Sequence, residues 1–207
     1  FGGKIKDQSV GSFGDISSTS FFPAKPLGCY GDGGAIFTDN DDLAEIMRSI
    51  RIHGSGNNKY NNVRIGINGR LDTIQAAILL EKLTIFDEEV KSRNQIANYY
   101  LSNISNKYSL PYVPNNYSSS WAQFSIVAKS ENQRNIVLKK LQKENIPSAI
   151  YYKTPLHLQE VFKNLGYKKN DFPFSEKISK CIFSIPMHPY LNKVDQDKII
   201  EVLNSVD

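Results

Sequence analysis

The sequence predicts an α/β first half joined to a smaller α+β second half, and three observations carry that prediction. Apolar β-forming runs alternate with amphipathic helical patterns over the first hundred residues. A tract rich in Pro, Asn, Ser and Tyr, from Tyr108 to Ser120, interrupts the chain near its middle. Beyond it the units become shorter, as in a separate α+β module. The change of texture falls near residue 105, which divides the chain into domains 1–104 and 105–207.

Each element has a local reason. Ile16 to Phe22 is rich in β-formers and reads as a strand, apolar on both faces like a central strand of a parallel sheet. Ala35 to Thr38 resumes the pattern. Between them Pro23, Pro26, Gly28, Asp32, Gly33 and Gly34 impose a tight loop. Asp39 or Asn40 caps a helix whose apolar positions Leu43, Ile46, Met47 and Ile50 follow helical spacing, and Gly54 ends it. Residues 54–70 are polar and glycine-rich, a loop of the kind that carries function. From Asp72 a long helix presents Leu71, Ile74, Ala77, Ile78 and Ile85 on one side and runs to about Leu101. In the second half a strand at Trp121 to Lys129 precedes a charged helix at Asn132 to Asn145. A short strand from Ala149 to Tyr152, a helix after Pro155, and a last amphipathic helix with Ile199, Val202, Leu203 and Val206 complete the pattern.

Composition excludes several functions. A net charge of +4 is small, and Lys and Arg are interspersed with Asp and Glu, so no basic stripe points to nucleic acid. Cys29 and Cys181 lie far apart, and His53, His157 and His188 never fall at metal-ligand spacing, which argues against a structural zinc or a disulfide framework. No apolar run has the length of a membrane span, and the opening FGGKIKDQ holds neither an initiator Met nor a signal-peptide core. The expectation is a cytoplasmic chain that begins within a longer protein.

Lys25 is the residue that stands out. It is a lone amine among small, aromatic and glycine residues, between two strand ends. As a surface lysine in a turn it would need no further account. At the end of a buried strand it would be partly desolvated, which favours a nucleophilic amine. Ser20, five residues earlier, offers a hydroxyl to a phosphate or simply bonds locally. Spacing leaves both pairs of readings open.

Longer strings decide between them. SFFPAKPLGCYGDGGAIFT (Ser20 to Thr38), RxHG (Arg51 to Gly54), GxNGRLDTIQAA (Gly66 to Ala77), YYKTPLHLQ (Tyr151 to Gln159), GYKKNDFPFSE (Gly166 to Glu176) and SIPMHPYL (Ser184 to Leu191) occur in that order. Together they resemble the DegT/DnrJ/EryC1/StrS family of pyridoxal-phosphate-dependent sugar aminotransferases over the whole chain. The resemblance implies a PLP-dependent transferase fold of type I (aspartate-aminotransferase-like), comprising part of the large domain and the small C-terminal domain. It implies pyridoxal 5'-phosphate as cofactor and Lys25 as the catalytic lysine that carries it and moves the proton. Ser20 matches a phosphate-binding serine. Asn68 matches the asparagine that reaches the cofactor phosphate of the neighbouring subunit, hence a homodimer with shared active sites. Arg70, Tyr151 and Tyr152 match positions facing the nucleotide sugar. Without the resemblance, Arg70 pairs with Asp72 and the tyrosines fill a core. His53 is open to two readings, a substrate contact or a cap for the helix that ends at Gly54, of which the cap is taken here, and His188 is read as structural.

The family's dehydratase branch has histidine where this chain has Lys25, so transamination is implied. The CYGDGGA and SSSWAQFSI strings are most similar to members acting on UDP-linked 2-acetamido-3-keto sugars, with glutamate as amino donor. The alternatives are C4 amination of a 4-keto-6-deoxy sugar nucleotide, or a non-catalytic sugar-nucleotide-binding domain of the same fold. The family's aspartate for the pyridine nitrogen is expected upstream of Phe1. The chain is therefore expected to be the C-terminal half or more of the enzyme, and to bind the cofactor poorly by itself.

Overall fold

The computed structural model describes residues 1–58 and 60–206. Lys59, in the polar loop at 54–70, lies outside them. The chain separates into two compact units: residues 1–90 with 114–120, and residues 91–113 with 121–207.

In the first unit, three short strands, β1 (Lys4–Ile5), β2 (Gln8–Ser9) and β5 (Tyr117–Ser118), form an antiparallel sheet in the order β2-β1-β5. Lys4 pairs with both Ser9 and Ser118, so the 114–120 segment is stitched to the first residues of the chain. A second pair, β3 (Ser17–Ser20) and β4 (Gly34–Phe37), runs antiparallel in the register Ser17↔Phe37 to Ser20↔Gly34. The expected central parallel strand is thus corrected. The four-residue strand is SSTS, its side chains alternate between half-buried and exposed, and β4 is its only partner among the described residues. The apolar residues that suggested a longer strand, Ile16 and Phe22, sit beyond its ends and are exposed.

Helix α1 (Asp41–Arg51) starts where Asn40 accepts the Leu43 N–H, with Asp41 and Asp42 in its first turn and Arg48 and Arg51 in its last, each end matching the helix dipole. Helix α2 (Thr73–Asn103) supplies Leu79 and Phe86 to a core shared with Phe21, Leu27 and Cys29. A cavity of about 940 Å³ opens between α1 and the β3–β4 pair. Its lining, including Ile36, Phe37, Met47 and Ile50, is largely apolar and contains neither Ser20 nor Lys25.

In the second unit, β6 (Phe124–Val127) and β7 (Ile182–Ile185) pair antiparallel, extended by bridges Ser109↔Val127 and Ala149↔Ser184. Helices α3 (Glu131–Lys143), α4 (Pro173–Cys181) and α5 (Lys193–Asn204) surround a core in which Tyr100, Phe124, Phe183, Ile126, Leu141 and Leu203 are fully buried. Each such side chain contributes on the order of 1.5–3 kcal/mol. Buried phenols keep a partner: Tyr100 donates to the Pro186 carbonyl at 3.1 Å and Tyr108 to that of Leu203 at 2.8 Å. Ser130 and Asn192 cap α3 and α5 by accepting the Gln133 and Asp195 N–H groups.

Two expectations for this half are corrected. The strand expected at Ala149 to Tyr152 reduces to the single bridge at Ala149. The helix expected after Pro155 is a pair of 3-10 turns, Leu156–Leu158 and Glu160–Leu165, because Gln159 between them is extended at φ −70°, ψ 139°. Among the described residues no helix is long and apolar enough to cross a membrane.

Candidate active site

Lys25 is carried by the loop joining β3 to β4. The ladder continues one step past the strands, with the Phe21 N–H on the Gly33 carbonyl at 2.8 Å, and then the chain turns out. The Lys25 N–H donates to the Phe22 carbonyl at 2.8 Å, closing a turn over Pro23 and Ala24. The loop returns at Cys29, whose N–H and Sγ–H both donate to the Phe21 carbonyl, at 2.8 and 3.0 Å. Phe21, Leu27 and Cys29 are buried beneath the loop and Lys25 is exposed on it. Of the two readings of Lys25, this structure shows the surface one: the strand it follows is short, and among the described residues β4 is the one strand paired with it.

Gly28 is required by the close approach of backbone. A Cβ there would lie 2.7 Å from the carbonyl oxygens of both Phe22 and Pro23. Two α2 residues hold the loop from outside. Gln75 Oε1 accepts the Tyr30 N–H at 2.8 Å, and Lys82 Nζ donates to the Gly28 carbonyl at 2.6 Å while standing 4.9 Å from the centre of the Tyr30 ring. Sequence reasoning missed both. Their seven-residue spacing puts them on one face of the helix, which was the available signal. Ser20, the last residue of β3, is exposed, and its Oγ accepts the Phe22 N–H at 3.2 Å.

The RxHG and GxNGR strings pair with each other. Ile52 bridges Asn68. The His53 N–H donates to the Ile67 carbonyl at 2.9 Å, the Ile67 N–H to that of Ile50 at 2.8 Å, and the Gly69 N–H to that of Arg51 at 2.9 Å. Gly66 makes this contact possible, since a Cβ on it would fall 2.1 Å from the Gly54 nitrogen. Asn68 and Arg70 thus leave a clasp built on the end of α1. Arg70 Nη1 lies 3.3 Å from His53 Nε2. The alternative pairing with Asp72 is corrected: among the described residues the partner is His53. His53 does close the helix, through its backbone: at φ +58° it is the left-handed residue after the Ile52 cap, and it lets the Gly54 N–H reach the Ser49 carbonyl at 2.8 Å while its ring lies beside the guanidinium.

Tyr151 and Tyr152 lie in the second unit, joined by a cis peptide bond. They are 40% and 73% exposed, with ring centroids 5.7 Å apart and nearly perpendicular, so they do not fill a core. The structure therefore gathers Ser20 and Lys25 at one corner of the β3–β4 pair, Asn68 and Arg70 on the clasp, and the tyrosines on a separate exposed turn. His188 is an exposed residue, yet the partial burial of its ring, with Arg93 nearby, holds its imidazole below its ordinary value against the pull of Asp195.

Residues 1–204 match the family model described as the DegT/DnrJ/EryC1/StrS aminotransferase family. The chain is 41% identical over 193 residues to the UDP-2-acetamido-2-deoxy-3-oxo-D-glucuronate aminotransferase of Pseudomonas aeruginosa, covering 93% of this chain and 52% of that protein. A crystal structure of a DegT DnrJ EryC1 StrS aminotransferase from Brucella abortus superposes with a TM-score of 0.91 at 50% identity, over 98% of this chain and 53% of that one. DesV of S. venezuelae, solved in complex with a ketimine intermediate, superposes with a TM-score of 0.89 at 28% identity, over 98% and 54%. Further solved relatives hold the cofactor as PLP and as PMP. The chain spans about half the length of the curated relatives it matches. With a matching family model over nearly all its residues, the chain belongs to the DegT/DnrJ/EryC1/StrS aminotransferase family.

Proposed function

We propose that these residues form the lysine-bearing half of a PLP-dependent aminotransferase of type I fold. Its reaction converts the keto group of a nucleotide-linked sugar, of the UDP-2-acetamido-3-keto kind, to an amine, with glutamate as donor. The observation that carries this reading is the Lys25 loop, a primary amine lifted clear of a buried Phe21, Leu27 and Cys29 base and fixed by Gly28, Gln75 and Lys82. The relative from Pseudomonas aeruginosa, whose name states such a sugar, supports the substrate class.

The residues present suit the cofactor. A primary amine is what its aldehyde condenses with, and the exposed Ser20 hydroxyl at the same corner can donate to a phosphate oxygen. When bound, pyridoxal phosphate supplies the electron sink that makes the carbon next to nitrogen acidic. With the cofactor bound, Lys25 Nζ would take the proton lost from the amino-donor carbon in one half-reaction and, in the other, would give a proton to the sugar carbon that receives nitrogen. One residue thus serves as nucleophile and as base. Asn68, presented by the clasp, donates its amide to the phosphate in the site of a second copy, which makes the working form a homodimer. Arg70 offers a cation to the diphosphate of the nucleotide, and His53 at 3.3 Å holds it. Tyr151 and Tyr152 offer ring faces and hydroxyls to the sugar nucleotide.

The test is chemical capture. Borohydride treatment of the complete, cofactor-loaded protein that carries these residues, followed by peptide mapping, is expected to place the cofactor mass on the tryptic peptide that contains Lys25 and to lose it in Lys25→Ala. Cofactor mass on any other lysine overturns the assignment.

A further inference from the structure

Residues 150–156 form an exposed arch that is pinned at both ends. At one end Ala149 and Ser184 of β7 exchange two backbone hydrogen bonds, at 3.1 and 2.7 Å. At the other end His157 Nε2 lies 3.1 Å from Glu176 Oε1 in the first turn of α4, and these side chains are only 8% and 11% exposed. Between the pins Tyr151, Tyr152, Lys153 and Thr154 face solvent.

The Glu176 carboxylate does more than meet the histidine. Its Oε1 also accepts the Asn170 N–H at 2.7 Å, so a single oxygen fastens both the arch and the 166–172 loop to the start of α4. Phe172 covers the junction, with its ring 4.7 Å from that of His157 and 5.3 Å from that of Tyr167. Burial alone would push the carboxyl up, but the Asn170 N–H, His157 and the Phe172 backbone outweigh it and hold Glu176 below its ordinary value. An exposed pair of this kind would have little mechanical consequence. A pair withdrawn from water does, because deleting one partner leaves the other without compensation.

We propose that Glu176, acting through His157, is a positioning residue that fixes the Tyr151–Tyr152 arch where it meets the nucleotide sugar, without touching the sugar itself. The substrate part rests on the function proposed above; the mechanical part does not. Freed at His157, the arch would hang from Ala149 and from the weak Gln159 side-chain bond to the Thr154 carbonyl, at 3.5 Å.

The experiment uses the complete protein that carries these residues, as wild type, Glu176→Ala, Glu176→Gln and a Tyr151→Ala/Tyr152→Ala double variant. Brief trypsin digestion reports the arch through the rate of cleavage after Lys153, and the two half-reactions are followed separately by the cofactor absorbance. Glu176→Ala is expected to speed cleavage after Lys153 at least tenfold. It is also expected to raise KM for a UDP-2-acetamido-3-keto sugar about tenfold and to leave the half-reaction with glutamate unchanged. Glu176→Gln keeps an acceptor oxygen for Asn170 and His157 and is expected to restore most of both effects. The double tyrosine variant is expected to raise KM with the Glu176 pin intact. Unchanged cleavage in Glu176→Ala overturns the pin. Faster cleavage with unchanged KM overturns the substrate role of the arch. Equal loss of both half-reactions, with cleavage throughout the second unit, reduces Glu176 to a core residue and overturns the proposal. A wild-type protein without either half-reaction refutes the enzymatic reading and the substrate role with it, while the Lys153 cleavage ratio still decides on the pin.

Discussion

Replacing Gly66 by alanine is the sharpest test of the clasp that presents Asn68 and Arg70. The added Cβ would stand 2.1 Å from the Gly54 nitrogen, 2.5 Å from the His53 carbonyl carbon and 2.7 Å from the Ile50 oxygen, all backbone atoms that cannot rotate away. Ordinary contact begins at 3.4 Å, so the two segments must part by about 1 Å. The hydrogen bonds from the His53 N–H at 2.9 Å and the Ile67 N–H at 2.8 Å flank this point, and a stretch of that size takes both out of bonding range. Losing them costs roughly 1–3 kcal/mol together, and the overpacking adds about 1–3 kcal/mol. Amide exchange in peptides spanning 50–69 should then quicken by at least about thirtyfold, the equivalent of about 2 kcal/mol. Gly69→Ala is the matched control. Its Cβ would meet side-chain atoms only, Ile67 Cδ1 and Cγ1 at 3.1 and 3.2 Å and Arg51 Cγ at 3.5 Å, and these can yield. If the two variants exchange alike, the pairing of RxHG with GxNGR is not what holds this segment.

Other outcomes follow from the same geometry. Mixing a Lys25→Ala chain with an Asn68→Ala chain should restore activity to part of the dimers, because both lesions fall in one of the two shared sites; subunit exchange without recovery counts against sharing. Lys82→Met removes the charged donor on the Gly28 carbonyl and should loosen the Lys25 loop by about 1.5–3 kcal/mol, read as faster exchange of residues 27–31. Because burial lowers His188 in the folded state, the unfolded chain binds more protons just below the ordinary value of 6.5. Stability should therefore be full above that value and fall as pH drops through the window beneath it. Urea titrations should show this fall weakened in His188→Gln. Glu176 is also held below its ordinary 4.5, so its contribution is present above 4.5 and lost as pH falls further. A loss of stability that begins only below pH 4.5 would contradict the His188 assignment.

What the sequence disclosed depended on how locally each feature is determined. Helix α1 was legible because an Asn40 cap, the Asp41–Asp42 start and the apolar spacing are written within a few residues of one another; α2 was legible as a helix but not by its face, since Ile74, Ala77 and Ile85 are exposed and the core takes Leu79 and Phe86. The strand before Lys25 was misjudged because pairing is a non-local property. Ile16 and Phe22 have strand-like side chains, yet only Ser17–Ser20 finds a partner, and that partner is antiparallel. Helix α4 and strand β7 were not assigned although Pro173 is a good first helical residue, because so short an amphipathic stretch gives little periodic signal. The same distinction governs the site. Lys25, Ser20, Asn68 and Arg70 stand out through residue type and motif, which a sequence displays directly. Their supports Gln75, Lys82 and His53, and the Glu176 that holds His157 at the foot of the tyrosine arch, act across 45, 54, 17 and 19 positions of sequence separation, and each is an ordinary residue type until the fold brings its partner near. A motif thus names the groups that meet the substrate. The precision with which they meet it lies in contacts that composition and spacing do not record, so substitutions at the supports should separate placement from chemistry more cleanly than substitutions at the motif residues.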